Sequence, residues 1–196
     1  MSYSHLWDEV RRANPGHSRA YAERWVRMAA EGRDLDGEAR LVDAMAGRAA
    51  RILDAGCGTG RVGGYLLGRG HDVTGVDLDE VLIEVARSDH PAGRWRVGDL
   101  ATADLGTGYD LVVCAGQVLT FLDPASRPAV ASNLAGALAA DGRLVTGFGA
   151  GRGYSFARYE EDLEAAGLAV QARFSSWDLR PFGEDSDFLV LIAARG

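Results

Sequence analysis

Three aspartates, Asp54, Asp77 and Asp99, each close a short strand-like run, and the first of them leads directly into a run of glycines. Carboxylates at such positions can accept hydrogen bonds from hydroxyls and amines or pair with an ammonium group. In Ile52-Leu53-Asp54-Ala55-Gly56-Cys57-Gly58-Thr59-Gly60 the two apolar residues suit a buried strand. The glycines cannot continue that strand, so the backbone must turn sharply. Beyond Gly60, Val62, Tyr65 and Leu66 recur at helical spacing until Gly68 and Gly70 end the pattern. A helix start carries unpaired N–H groups and a partial positive charge, and glycines let a ligand lie against the backbone. The expected product is a site for an anionic group of a nucleotide-like cofactor.

Two cofactors compete for that loop. Gly58, Gly60 and Gly63 fit G-x-G-x-x-G, the dinucleotide fingerprint, with Asp77 as the ribose acid. Asp54 discriminates, because a carboxylate just before the glycines would repel a pyrophosphate but attract the ammonium of an amino acid. The order in ILDAGCGTG resembles motif I of the class I S-adenosylmethionine-dependent methyltransferases, whose glycine loop holds the methionine end of the cofactor. The resemblance covers roughly residues 51–194. It implies that Asp54, Gly56, Cys57 and Gly58 contact the methionine end, that Asp77 in VTGVDLD binds the ribose diol, and that Asp99 in VGDL accepts from the adenine amine. Leu78 and Leu100 would then sandwich the adenine, and Ala115 would lie in the loop beneath the methionine, its small neighbours leaving room for an acceptor. The expected cofactor is S-adenosyl-L-methionine, with S-adenosyl-L-homocysteine as product and a small molecule as methyl acceptor. The alternatives are an NAD(P)-binding oxidoreductase and a non-catalytic S-adenosylmethionine-binding module.

The elements that must position these residues follow in order. Residues 1–50 read as helical, with Tyr21, Trp25, Met28 and Ala29 on one stripe and Leu41, Val42 and Met45 on another, interrupted at Asn14-Pro15-Gly16 and Gly32. This segment is expected to cap a core spanning 51–196 and to fold over bound cofactor, with Tyr21 reaching the methionine carboxylate or the acceptor. Strands are expected at His71–Asp77, Arg94–Val97, Tyr109–Cys114 and Arg143–Phe148. Asp79 is expected to cap one helix, and Pro124 to start another that runs past Leu138 to Asp141-Gly142. Strand–helix alternation predicts a doubly wound α/β fold, and Tyr109–Cys114 is apolar enough to lie at the centre of its sheet. Leu168–Ser175 and Asp187–Ala194 are joined by too short a non-helical loop for a parallel crossover, so they should form an antiparallel hairpin. The resulting seven-stranded, mostly parallel, Rossmann-like sheet in a three-layer αβα arrangement is the one that the resemblance implies.

Composition narrows the partners. A net charge of −7 and a pI of ≈ 5.1 oppose broad contact with a phosphate backbone, so nucleic acid is not the expected partner; the chain contains no lysine, and hence no Tyr-x-x-x-Lys pattern of an oxidoreductase. The arginines Arg11, Arg12 and Arg19 read as solvated helix faces. Neither a secretion signal nor an apolar run of membrane-spanning length is present, and a cytoplasmic location is expected. Cys57 and Cys114 lack metal-ligand spacing and read as free packing thiols, so no metal is expected. His71 and His90 precede strands and fall at the wrong edge of the sheet for chemistry, whereas His5 and His17 lie in the cap and read as surface residues. No catalytic base is assigned.

Overall fold

The computed structural model describes residues 3–196; Met1 and Ser2, at the start of the expected cap, lie outside the described residues. Helices α1 (Leu6–Ala13), α2 (His17–Ala30) and α3 (Gly37–Met45) precede the first strand. They break at Asn14–Gly16 and after Ala30, where the proline and the glycines interrupt the apolar stripes. Then β1 (Arg51–Ala55), α4 (Arg61–Gly68), β2 (Asp72–Asp77), α5 (Glu80–Asp89), β3 (Arg94–Val97) and β4 (Tyr109–Cys114) alternate. They are followed by α6 (Arg127–Ala137), β5 (Leu138–Gly149), α7 (Phe156–Ala165), β6 (Leu168–Phe174) and β7 (Phe188–Arg195).

The seven strands form one sheet in the order β3-β2-β1-β4-β5-β7-β6. Only β7 is reversed: it pairs antiparallel with both β5 and β6, as the short loop requires. Strand order reverses between β1 and β4, which pair in parallel with Asp54 opposite Val113, so the carboxyl end of β1 opens at the switch point where such sheets bind ligands. Both faces are covered. Leu53, Val112, Leu144 and Leu191 pack under α6 and α7, and Ile52, Leu111, Val145 and Val190 pack under α3, α4 and α5. These residues are fully buried or nearly so, and each contributes about 1.5–3 kcal/mol by leaving water. The apolar β4 does hold the centre of the sheet.

Both ends of α6 differ from expectation. Pro124–Ser126 forms a single 3-10 turn, α6 starts only at Arg127, and it ends at Ala137 rather than at Asp141-Gly142. Leu138 already pairs with Tyr109, after which the register jumps so that Leu111 pairs with Arg143. Asp141-Gly142 therefore belongs to an irregular entry into β5 and does not stop a helix. A Cβ on Gly142 would lie 2.5 Å from the Tyr109 carbonyl oxygen, so the bulge admits only glycine there.

Candidate functional site

The loop after β1 is built around Asp54. Its carboxylate is almost fully buried, and Oδ2 accepts from Gly63 N–H in the first turn of α4 at 3.0 Å. The expectation that this helix start would offer free N–H groups to an external anion is thus corrected in part, since the protein's own carboxylate takes one of them. Burial drives the Asp54 pKa up from 3.8 to about 7, against the Gly63 bond, which favours the ionised form. The second and third fingerprint glycines also serve packing. A Cβ on Gly60 would lie 3.0 Å, and one on Gly63 2.6 Å, from the Trp95 ring of β3; Gly75 and Gly93 leave room for the same indole. Only Gly58 opens toward empty space, with Tyr21 at 3.8 Å and Leu82 at 4.0 Å as its nearest neighbours.

Asp77 ties this loop to the next. Its Oδ2 accepts from Gly58 N–H at 2.8 Å and its Oδ1 from Asp79 N–H at 2.9 Å, and burial raises its pKa to about 6. Asp99 Oδ1 accepts from Ala101 N–H at 2.8 Å. The three aspartates line one cleft of ≈ 950 Å³, including space open to solvent, at the ends of three adjacent strands. Gly56, Cys57, Gly58, Leu78, Leu100, Ala115 and Tyr21 line the same cleft, so all ten residues singled out in the sequence converge on it.

Sequence reasoning missed several other residues that line this cleft. Val118, Phe121 and Leu122 line the cleft from a short 3-10 turn (Val118–Phe121) after β4, too brief to show a period. Val118 packs so closely on Gly56 that a Cβ there would lie 2.4 Å away. Before the turn, Gln117 adopts φ +71°, and its Oε1 accepts from Gly149 N–H at 2.9 Å, joining the ends of β4 and β5. Trp7 meets Tyr21 and Phe121 edge to face, and Tyr21 meets Trp25 in the same way. Arg61 also reaches the cleft, where it lies over Trp25 and pairs with Glu38 through both Nη atoms at 2.8 and 3.1 Å. Burial raises the Tyr21 pKa, so its hydroxyl stays protonated.

Asp79 does more than cap α5. Its Oδ1 accepts from Val81 N–H at 2.9 Å, while Oδ2 accepts from Trp7 Nε1 at 2.9 Å and from the Ser18 hydroxyl. Arg11 lies 3.5 Å from the same oxygen and is therefore not simply solvated. One fully buried carboxylate thus fastens α1 and α2 to the strand-end face. His5 is also buried and lines the cleft, contrary to the surface reading, and His17 packs against Trp7. Cys57 and Cys114 are free thiols on opposite faces of the sheet, and burial pushes both pKa values up, away from the nucleophilic thiolate.

The cleft joins carboxylates, suited to hydroxyl, amine and ammonium groups, with aromatic rings that meet one another edge to face. A family model described as "Methyltransferase domain" matches residues 52–142. The solved structure of a TehB-like SAM-dependent methyltransferase from Corynebacterium glutamicum is 52% identical, covers 93% of this chain and 100% of its own, and superposes with a TM-score of 0.91. Among curated relatives, the magnesium-protoporphyrin O-methyltransferase of Rhodobacter capsulatus is 38% identical over 90 residues, 43% of this chain and 39% of that enzyme. The malonyl-[acyl-carrier protein] O-methyltransferase of Erwinia pyrifoliae is 42% identical over 64 residues, 33% of this chain and 24% of that enzyme. The chain therefore matches well under half the length of these two curated relatives.

Proposed function

From the premise that this chain belongs to the class I S-adenosylmethionine-dependent methyltransferase family, we propose that its strand-end cleft delivers a methyl group from S-adenosylmethionine to a small-molecule acceptor. The observation that carries this reading is the convergence of Asp54, Asp77 and Asp99 on one cleft that Trp7, Tyr21 and Trp25 also line. The donor set fits the cofactor. Asp54, with one oxygen committed to Gly63, keeps lone pairs for the methionine ammonium; Asp77, with one N–H on each oxygen, keeps a lone pair on each for the ribose diol. Asp99 accepts from the base, Leu78 and Leu100 flank it, and Gly56, Cys57, Gly58 and Ala115 let the methionine end lie close to backbone.

The bound cofactor supplies a methyl group already activated by positive sulfur, so the chain's task is to position two reactants and exclude water. The aromatic wall serves the second purpose, and no side chain is assigned as a base. The names of the two curated relatives, one acting on magnesium-protoporphyrin and one on malonyl-[acyl-carrier protein], support a non-nucleic-acid acceptor without identifying it. The dinucleotide reading is weakened by two contacts, since Gly60, which would have to let a pyrophosphate approach, faces Trp95, and Gly63 N–H is held by Asp54. Calorimetric titration with S-adenosylmethionine, S-adenosylhomocysteine and NAD is the test. Binding of the first two without NAD is expected, and binding of NAD alone would overturn the reading.

Residues 1–50 then act as a cap over a core of 51–196, fastened through Asp79 and through the Glu38–Arg61 pair. If α1 and α2 close over the cofactor, trypsin should cut at the exposed Arg12 and Arg19 more slowly in saturating S-adenosylhomocysteine. Equal cleavage with and without it would show a fixed wall. No helix among the described residues is long and apolar enough to cross a membrane, which is compatible with the cytoplasmic location proposed for the enzyme.

A further inference from the structure

His5 is clasped to the turn after β4. Ser4 N–H donates to Asp123 Oδ2 at 3.0 Å, and Asp123 N–H donates to His5 Nδ1 at 3.1 Å. Because Nδ1 accepts from an amide, the neutral ring carries its proton on Nε2. That N–H is buried in a ring only 4% exposed and lies 3.2 Å from Asp99 Oδ1, but it is misaligned for a hydrogen bond and has no partner. Buried donors of this kind are rare, and this one belongs to a residue that lines the cleft. A donor and an acceptor therefore stand side by side at the carboxyl end of β3, next to the apolar Leu78 and Leu100. Adenine presents the complementary pair on either edge of its six-membered ring's amino group, an amino donor beside a ring nitrogen that accepts.

We propose that His5 is a base-specificity residue: its Nε2–H donates to a ring nitrogen of adenine while Asp99 accepts from the 6-amino group. The N-terminal segment would thereby read the identity of the cofactor's base. This rests on the reading that Asp99 faces the base, and the two are separable by calorimetry with four ligands: S-adenosylhomocysteine, its inosine analogue, and its 1-deaza and 7-deaza analogues. The inosine analogue sets a carbonyl against the Asp99 carboxylate and should bind the parent protein at least about 30-fold more weakly. One deaza analogue, having C–H where His5 needs an acceptor, should bind about 10-fold more weakly. His5→Phe should close the deaza gap and leave the inosine gap open. His5→Gln, whose amide can both accept from Asp123 and donate into the cleft, should restore the deaza gap. If the inosine gap is present but both deaza analogues bind the parent protein as tightly as S-adenosylhomocysteine, or if the deaza gap survives in His5→Phe, the role of His5 is overturned and that of Asp99 stands. If the inosine gap is itself absent, Asp99 does not face the base and both fall. The comparisons on the parent protein alone suffice to overturn the role of His5, since the absence of any deaza gap there does so even if a variant does not fold.

Discussion

Asp54→Asn is expected to make the ligand-free protein harder to unfold at pH 8 and, at the same pH, to weaken S-adenosylhomocysteine binding by about 10- to 100-fold. Both effects come from one charge. Burial lifts the Asp54 pKa to about 7, so its folded-state value lies above its unfolded value of 3.8. The stability contributed by such a group is fully present below pH 3.8 and is lost as pH rises through 7. Asparagine keeps an oxygen for Gly63 N–H and removes the desolvated charge, so the variant should melt about 2–6 °C higher at pH 8, with the advantage shrinking toward pH 4. The cofactor's ammonium needs the charge that the apo protein holds at a cost. In the parent protein, affinity should therefore rise from pH 6 to 8, and binding near pH 6 should release protons, measurable by calorimetry in buffers of different ionisation enthalpy. A variant that binds as tightly as the parent would remove Asp54 from the ammonium site, and tighter binding of NAD by it would favour a dinucleotide.

Asp77→Ala should lower S-adenosylhomocysteine affinity by about 10- to 150-fold, through loss of charge-assisted bonds to the ribose hydroxyls. The structure adds a second loss. Gly58 N–H and Asp79 N–H are both left without their acceptor, so the loops after β1 and β2 lose the carboxylate that joins them. A melting temperature lower by a few degrees is expected, with the fold retained. Comparing Asp77→Asn apportions the two effects, because the amide preserves one acceptor oxygen. Parent-like affinity in Asp77→Ala with an unchanged melting curve would refute the ribose assignment.

What the sequence made legible follows from how local each signal is. Asp54, Asp77 and Asp99 could be placed because each closes a short strand-like run, and strand ends in a parallel sheet share one edge wherever the strands lie. The reversal of β7 was readable from a loop too short to cross over. Val118, Phe121 and Leu122 were not, since a four-residue 3-10 turn leaves no periodicity, and its place in the cleft depends on Val118 meeting Gly56. Arg61 reads as an ordinary helix residue until Glu38, 23 positions earlier, is seen beside it. Asp79 showed its capping role, which is local, and hid its bonds to Trp7 and Ser18, which are not. The end of α6 was misplaced because Asp141-Gly142 makes the same local signal for a helix stop and for a strand bulge.

The indole of Trp95 has a consequence for how this sequence can drift. Gly60, Gly63, Gly75 and Gly93 come from three different segments, yet each stays bare for the same ring. An alanine at Gly63 or Gly75 collides with that ring, and a smaller residue at Trp95 leaves a void in a packed layer, so each step taken first is penalised. Taken together, a smaller side chain on β3 and a methyl group on α4 or β2 restore the volume. Gly63 and Gly75 are thus coupled to Trp95 rather than independent of it, and descendants of this chain should exchange either one jointly with that tryptophan or not at all, whereas Gly60 is held in addition by its left-handed backbone at φ +76°. A motif glycine shared with dinucleotide-binding proteins can in this way be kept for generations by a tryptophan that is not among the residues lining the cleft.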